Sequence, residues 1–225
     1  GIGYAALSAN TTGSHNTAVG RYALYLNTTG QYNSSLGRDA LRANTTGSFN
    51  TAIGFAALTA NTTGTDNVAM GYNALVNNTD GIFNTAIGTQ SLEANTGGDS
   101  NVAVGYLALQ DNTTGNNNVA LGKDALRTNT TSNGNVAIGA NALEDNTGAD
   151  NTAVGNAALA QNTTGIRNVG IGDHALYCNT TGSYNTAVGR GAGLNTTEGC
   201  YSTLVGYQAG NALTTGSKNI AIGAF

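Results

Sequence analysis

The 225-residue sequence contains no proline and no tryptophan, and only 9% of its residues are charged. The formal net charge is −4, so no basic patch favours nucleic acid as a partner. Apolar runs are only a few residues long, and we therefore predict no transmembrane segment and no signal peptide. A composition with 33 glycines is also typical of disordered chains, but the apolar residues recur in register, which argues against disorder.

One short motif recurs along the whole chain. It reads ALSANTTGSHNTAVG from residue 6 and ALRANTTGSFNTAIG from residue 40. The glycine that closes it returns every 17 residues from Gly3 to Gly223, with one step of 16 between Gly139 and Gly155. A period of this kind indicates a repeat architecture, and we predict a single repeat domain over residues 1–225.

Each repeat has a short alternating segment, such as Thr17–Val19, in which Val or Thr and Val or Ile lie on one face and Ala on the other. An Ala-Leu pair and an Asn-Thr-Thr-Gly turn follow, and we expect Asn and Gly of that turn to accept positive φ. Frequent glycine and β-branched residues disfavour an α-helix. The sequence therefore predicts an all-β fold, a β-solenoid (β-roll) of about thirteen 17-residue coils.

Stacking of the coils determines what the fold can bury. One coil cannot cover its own leucine and isoleucine, whereas strands paired about 4.8 Å apart can, so we expect both columns to be buried. The alanine columns suit either the narrow interior of a coil or an axis where several chains meet. The sequence leaves these two alternatives open.

Asparagine recurs in two columns, one starting at Asn10 and one at Asn16. Stacked identical amides can form a hydrogen-bonded ladder that satisfies the backbone of the turns. We prefer this structural role to ligand binding. The ladder is assigned to Asn16, Asn33, Asn50, Asn67, Asn84, Asn101, Asn118 and Asn135.

Charged and aromatic residues fall in the variable columns, which we predict to be the solvated face. Aromatic stripes there are candidates for contact with a sugar or another chain. Coverage of neighbouring coils is an equally weighted alternative. The candidate binding residues are Tyr4, Phe55, Tyr72 and Tyr106 in one column, and Tyr32, Phe49, Phe83 and Tyr184 in another.

Motifs for catalysis or metal binding are missing. The sequence has no Ser/His/Asp set, H-E-x-x-H or C-x-x-C, no calcium-solenoid pattern, and no carboxylate cluster of a polysaccharide-degrading β-helix enzyme. We therefore predict no enzymatic activity, no cofactor and no metal, with His15 and His174 solvated. Cys178 and Cys200 lie in different columns, and free thiols, an intrachain bridge and a bridge between chains all stay open.

The motif N-[TV]-A-[IV]-G, as in Asn50–Gly54 and Asn135–Gly139, resembles the head repeats of trimeric autotransporter adhesins. It is also similar to repeats of bacterial and bacteriophage tail-fibre-like proteins that end in a self-cleaving chaperone domain. The likeness covers essentially the whole chain, although this repeat is longer by its additional NTTG turn. It implies a parallel homotrimer of β-rolls, extracellular on a cell surface or virion fibre, without membrane insertion, that attaches to a glycan or protein receptor.

The chain begins and ends within a repeat and has no initiator methionine, which we interpret as a fragment of a longer fibre or a processed product. Coils 189–225 are irregular, because Gly193 and Gly210 replace the usual leucine. Departures of this kind are typical of a cap or a junction.

A threonine column suggests a second function, an ice-binding β-solenoid. Flat ice-binding faces require two threonine rows spaced T-x-T on one strand, whereas here the second threonine is adjacent and lies in a turn. A structural and adhesive fibre segment is therefore the first prediction. The column consists of Thr11, Thr28, Thr45, Thr62, Thr79, Thr96, Thr113, Thr130 and Thr147.

Overall fold

The computed structural model describes residues 1–224 and contains two compact units, residues 1–116 and a second unit that begins at Asn117. Both consist of three-residue strands joined by turns, without a helix among the described residues. Each unit is a β-solenoid of 17-residue coils, which confirms the predicted all-β fold. The strands of the first unit are β1 (Thr17–Val19), β2 (Ser34–Leu36), β3 (Thr51–Ile53), β4 (Val68–Met70), β5 (Thr85–Ile87) and β6 (Val102–Val104). Those of the second are β7 (Val119–Leu121), β8 (Val136–Ile138), β9 (Thr152–Val154), β10 (Val169–Ile171), β11 (Thr186–Val188), β12 (Thr203–Val205) and β13 (Ile220–Ile222).

Within each unit, every strand pairs in parallel with the equivalent strand of the next coil. Thr17 pairs with Ser34, 17 positions further on. Between β8 and β9 the offset falls to 16, and Val136 pairs with Thr152. The turn absorbs the missing residue, because Nδ2 of Asn146 donates to the carbonyl of the residue two positions on, at 2.7 Å, rather than three. The strand register is therefore kept.

Backbone hydrogen bonds also join the coils outside the strands. The N–H of Leu24 donates to the carbonyl of Ala40 at 3.0 Å, and that of Thr28 to the carbonyl of Thr45 at 2.9 Å. The leucine column is left-handed, with φ of 52° at Leu24. Because such a conformation costs a branched residue about 1–2 kcal/mol, the packing and bonding around it must hold it in place.

The prediction of positive φ in the Asn-Thr-Thr-Gly turn was wrong. Within residues 1–224, neither the asparagine nor the glycine of this turn has positive φ. Glycine is needed there for space, since a Cβ on Gly64 would lie 2.6 Å from the carbonyl oxygen of Gly81. At the end of the strand both reasons apply: Gly54 has φ of 128°, and its Cβ would lie 2.5 Å from the oxygen of Gly71.

The interior of each coil holds leucine, alanine and asparagine side chains. Leu24 and Leu75 are fully buried, as predicted for the leucine column. Ala52 in the strand and Ala57 before the leucine are also fully buried. Of the two alternatives for the alanines, the structure therefore selects the narrow interior of the coil.

The predicted burial of the isoleucine column was wrong. Ile87 is 37% exposed, and the equivalent Leu36 and Leu121 are 50% and 45% exposed. Side chains alternate along a strand, so an inward alanine forces the residues on both sides of it outward. Each unit consequently carries a row of large apolar side chains on its outer surface.

In the irregular coils, leucine occupies the inward strand position instead of the leucine column. Gly193 occupies the leucine column at φ of 62°, and Leu204 stands where most strands have alanine. A Cβ on Gly193 would lie 2.7 Å from Cδ1 of Leu204. The Leu204 side chain is fully buried and fills the space that the glycine leaves.

This exchange predicts strong coupling between the two positions. Leu204→Ala should destabilise the protein by about 3 kcal/mol through a cavity, and Gly193→Leu alone by about 2 kcal/mol through overpacking. The double variant restores one of the two leucines that pack against the strand alanine in regular coils, since Gly210 stays in place, and should lose less than Leu204→Ala alone, as measured by equilibrium unfolding in urea. Additive losses would show that the two side chains do not share one space.

Candidate interaction surfaces

In each unit, the outward side chains of the strands form a surface that we call the strand face of that unit. It consists of the first and third residue of each strand, and none of these residues is charged in β1–β13. Equivalent side chains in adjacent strands repeat at about 4.8 Å. The row of third residues is apolar throughout: Val19, Leu36, Ile53, Met70, Ile87 and Val104 in the first unit, and Leu121, Ile138, Val154, Ile171, Val188, Val205 and Ile222 in the second.

The strand face is the feature that sequence reasoning placed on the wrong side. Met70 is 41% and Ile171 is 40% exposed, although both resemble core residues in sequence. The signal that could have located it is the recurrent alanine between them, because only a small side chain fits inside so narrow a coil. Exposed apolar surfaces of this kind are typical of interaction sites.

The asparagines before each strand hydrogen-bond from coil to coil. Oδ1 of Asn50 accepts the backbone N–H of Asn67 at 3.0 Å, and its Nδ2 donates to the carbonyl of Gly64 at 2.8 Å. Asn50 is fully buried. Asn135 differs, since its Nδ2 has no hydrogen-bond partner among the described residues. It is the ladder asparagine whose coil leads into the shortened turn. Within each unit, equivalent Oδ1 contacts connect the other asparagines assigned to this ladder.

The asparagines of the turn form a second ladder, with direct amide-to-amide bonds. Nδ2 of Asn27 donates to Oδ1 of Asn10 at 2.7 Å and to the carbonyl of Gly30 at 3.0 Å. Nδ2 of Asn44 repeats the contact on Oδ1 of Asn27 at 2.8 Å. These amides are used within the coil and are not presented to a ligand.

The eight candidate aromatic residues are between 38% and 70% exposed. Several stack along their columns: the rings of Tyr32 and Phe49 are 5.0 Å apart with 5° between their planes, and His15 lies 4.6 Å from Tyr32 on the other side. Phe55 and Tyr72 stack at 5.5 Å. A ring stacked in this way covers its neighbour's face and leaves mainly edges for a sugar.

Phe83 differs from the stacked rings in its column. Its neighbours one coil away are Asp66 and Ser100, and Phe83 is 57% exposed. Small or polar neighbours leave the faces of the Phe83 ring uncovered by other rings. Among the candidates of its column, this residue therefore offers the better platform for an apolar sugar face.

A shallow pocket in the second unit surrounds one carboxylate. Nδ1 of His174 lies 2.9 Å from the Asp173 carboxylate, and Nε of Arg190 donates to it at 3.3 Å. The pKa of the Asp173 carboxyl is lowered, chiefly by the hydrogen bond from His174; burial opposes this effect, and the hydrogen bond from Arg190 adds to the lowering. The carboxylate thus balances the charge of Arg190. The pocket is lined by Asp173, His174, Arg190, Gly191, Leu194 and Gln208.

Both cysteines are free, so the intrachain bridge that the sequence left open does not form. Burial raises the pKa of the Cys178 thiol. Sγ of Cys200 lies 3.4 Å from the carbonyl oxygen of Glu198 and accepts the N–H of Ser183 at 3.3 Å.

The threonine column of the turn uses its hydroxyl groups within the fold. Oγ1 of Thr28 donates to the carbonyl of Thr45 at 3.0 Å, and Oγ1 of Thr45 donates to that of Thr62 at 3.0 Å. Within residues 1–224, no three His, Cys, Asp or Glu side chains are grouped as a metal site would require. Residues 1–224 also contain no helix that could span a lipid bilayer.

The ladder asparagines are expected to be sensitive to truncation. Asn50→Ala leaves the N–H of Asn67 without a partner in the interior and removes one of the two amide donors to the carbonyl of Gly64, the other being Nδ2 of Asn61. It should destabilise the protein by about 2 kcal/mol. Asn156→Ala is the control, because Asn156 is exposed and its Nδ2 makes one contact of 3.4 Å. Asn156→Ala should lower the free energy of unfolding by only about 0.5 kcal/mol. Equal losses in urea unfolding would contradict the role of the ladder.

No family model, curated protein or solved structure matches this chain. The relationship to adhesin heads and fibre repeats therefore stays an expectation that rests on the amino-acid sequence of the repeat. Support for a function comes from the surfaces of the chain itself, and above all from the strand face.

Proposed function

We propose that the chain is a structural and adhesive segment of an extracellular fibre, in which three parallel copies associate through the strand face. The observation that carries the proposal is that the strand face exposes large apolar side chains and contains no charged residue. In the first unit, Leu36 of β2, Met70 of β4 and Ile87 of β5 are 37–50% exposed. Contact with a second copy would remove this area from water, at about 25 cal/mol for each Å² of apolar surface.

The repeat makes the strand face complementary to itself. Each copy presents the same rows at the same spacing, so parallel copies can match side chain to side chain in every coil. Closed assemblies of identical chains satisfy such a surface without leaving an open end. The number three comes from the resemblance to the trimeric heads, as does the display on a cell surface or virion.

Attachment would use the columns outside the strand face. Phe83 and the charged side chains lie on the variable segments between strands, so association through the strands leaves them in contact with solvent. A rigid scaffold that presents variable residues at regular spacing is suited to contact with a glycan or protein receptor. The scaffold and the binding surface thus use different columns of the same coil.

Mass in solution tests the assembly. The wild-type protein should have about three times the 22.5 kDa chain mass by light scattering. Met70→Lys/Ile87→Lys places two charges on the strand face, and should give a monomer because buried unpaired charges oppose association. The control, Thr29→Lys/Thr46→Lys, adds the same charge at exposed turn positions and should keep the wild-type mass.

Far-UV circular dichroism should be the same for both variants, since neither changes the interior of a coil. A wild-type mass near 22.5 kDa at micromolar concentration would contradict the proposal. Loss of assembly in the control as well would show that net charge, rather than the strand face, decides association.

Ice binding through the threonine column is the alternative function. Its hydroxyl groups already donate to carbonyl oxygens of the next coil, as Thr28 does to Thr45. We therefore expect no thermal hysteresis at micromolar protein. Clear hysteresis would replace the fibre segment by an ice-binding protein as the primary function.

A further inference from the structure

The basic residues of the first unit are gathered in one place. Its only Lys and Arg residues are Arg21, Arg38 and Arg42, which lie in two successive coils. All three are exposed. They follow the strand rather than belong to it, so the strand face does not include them.

Aromatic rings hold these guanidinium groups in position. Cζ of Arg21 lies 4.9 Å and Cζ of Arg42 lies 5.4 Å from the centre of the Tyr22 ring. Tyr22 is itself fixed by edge contacts to Tyr4 and Tyr25, at 5.4 and 5.3 Å. Cation–π contacts of this kind restrict the arginine side chains before any ligand arrives.

The three arginines have too few carboxylates for their charge. Arg38 and Arg42 share Asp39, with Nε to oxygen distances of 3.1 and 3.9 Å. Arg21 forms no ion pair among the described residues. Two positive charges are therefore in excess in this cluster, which we call the arginine cluster.

The second unit shows the opposite arrangement. Four of its basic residues each have a carboxylate of their own at 3.0–3.5 Å, so their charges are balanced locally. These pairs are Lys123 with Asp124, Arg127 with Glu144, Arg167 with Asp150, and Arg190 with Asp173.

We propose that the arginine cluster of Arg21, Arg38 and Arg42 binds an acidic polysaccharide, one that carries carboxylate or sulfate groups. The inference rests on the proposed attachment function and names the class of receptor. Guanidinium groups bind such anions through paired hydrogen bonds, and Arg21 and Arg38 occupy the same column of adjacent coils, about 4.8 Å apart along the stack. Beside the cluster, the exposed Tyr4 ring meets Tyr22 edge-on and offers a surface to the apolar face of a sugar.

A nucleic acid fits this surface less well. Binding of a duplex requires an extended basic stripe. Outside the arginine cluster and its Asp39, however, the charged residues of the first unit are all acidic. These are Asp66, Asp80, Glu93, Asp99 and Asp111. A short charged stretch of a polysaccharide can bind the cluster without approaching them.

Binding of defined polymers to the full chain tests the proposal. The probes are dextran sulfate, polygalacturonate, uncharged dextran and duplex DNA, immobilised and measured at low and physiological salt. Arg21→Gln/Arg42→Gln removes two unbalanced charges. The matched control, Arg127→Gln/Arg190→Gln, removes two charges from the same columns of the repeat, where each has its own carboxylate.

The wild-type chain should bind both acidic polysaccharides, more weakly as salt increases, and should not bind dextran. The cluster variant should bind them about tenfold more weakly, as expected for the loss of charge-assisted hydrogen bonds, and the control should bind like wild type. Equal weakening in the control, binding of neither polyanion, or preference for DNA would overturn the proposal. Light scattering on the same samples separates this outcome from failure of the assembly.

Discussion

Hydrogen bonding between identical positions of successive coils sets the register on which the other features depend. The Asn50 amide illustrates it, since one side chain accepts from the next coil's backbone and donates to the next coil's turn. A step of 17 residues therefore brings each side chain against its own kind. Leucine packs on leucine and ring stacks on ring, as Tyr32 does on Phe49. Like charges are placed together by the same rule, which makes a sparsely charged sequence suitable for this fold.

The narrow cross-section of the coil determines which residues face out. Alanine at Ala52 and leucine at Leu58 fill the interior, together with the asparagine amides. Nothing larger than serine, as at Ser35, is accommodated in the strand wall unless the opposite wall recedes. Leu204 shows this condition, because Gly193 and Gly210 provide the space for it. The large apolar residues of the strands consequently lie outside, where another chain could cover them.

The narrow coil also separates the residues that maintain the fold from the residues that are available for binding. Interior and ladder positions tolerate little change, whereas the residues after the strand vary from coil to coil without disturbing the register. The arginine cluster and the pocket around Asp173 both lie in these variable segments and differ in one respect. In the pocket the Arg190 charge is balanced by Asp173, whereas Arg21 has no such partner in the first unit.

The sequence by itself determined the period, the all-β solenoid, the position of the strand and the burial of the leucine column. It could do so because a strict period places residues one coil apart in contact, whatever the shape of the coil. Only the tertiary structure decided that alanine faces inward and Ile87 outward, and that Leu24 is left-handed while the Asn-Thr-Thr-Gly turn is not. It alone showed that Tyr22 holds two arginines. These features depend on how the 17 residues close into a ring, because closure fixes the direction of each side chain, and a repeat length does not specify that direction.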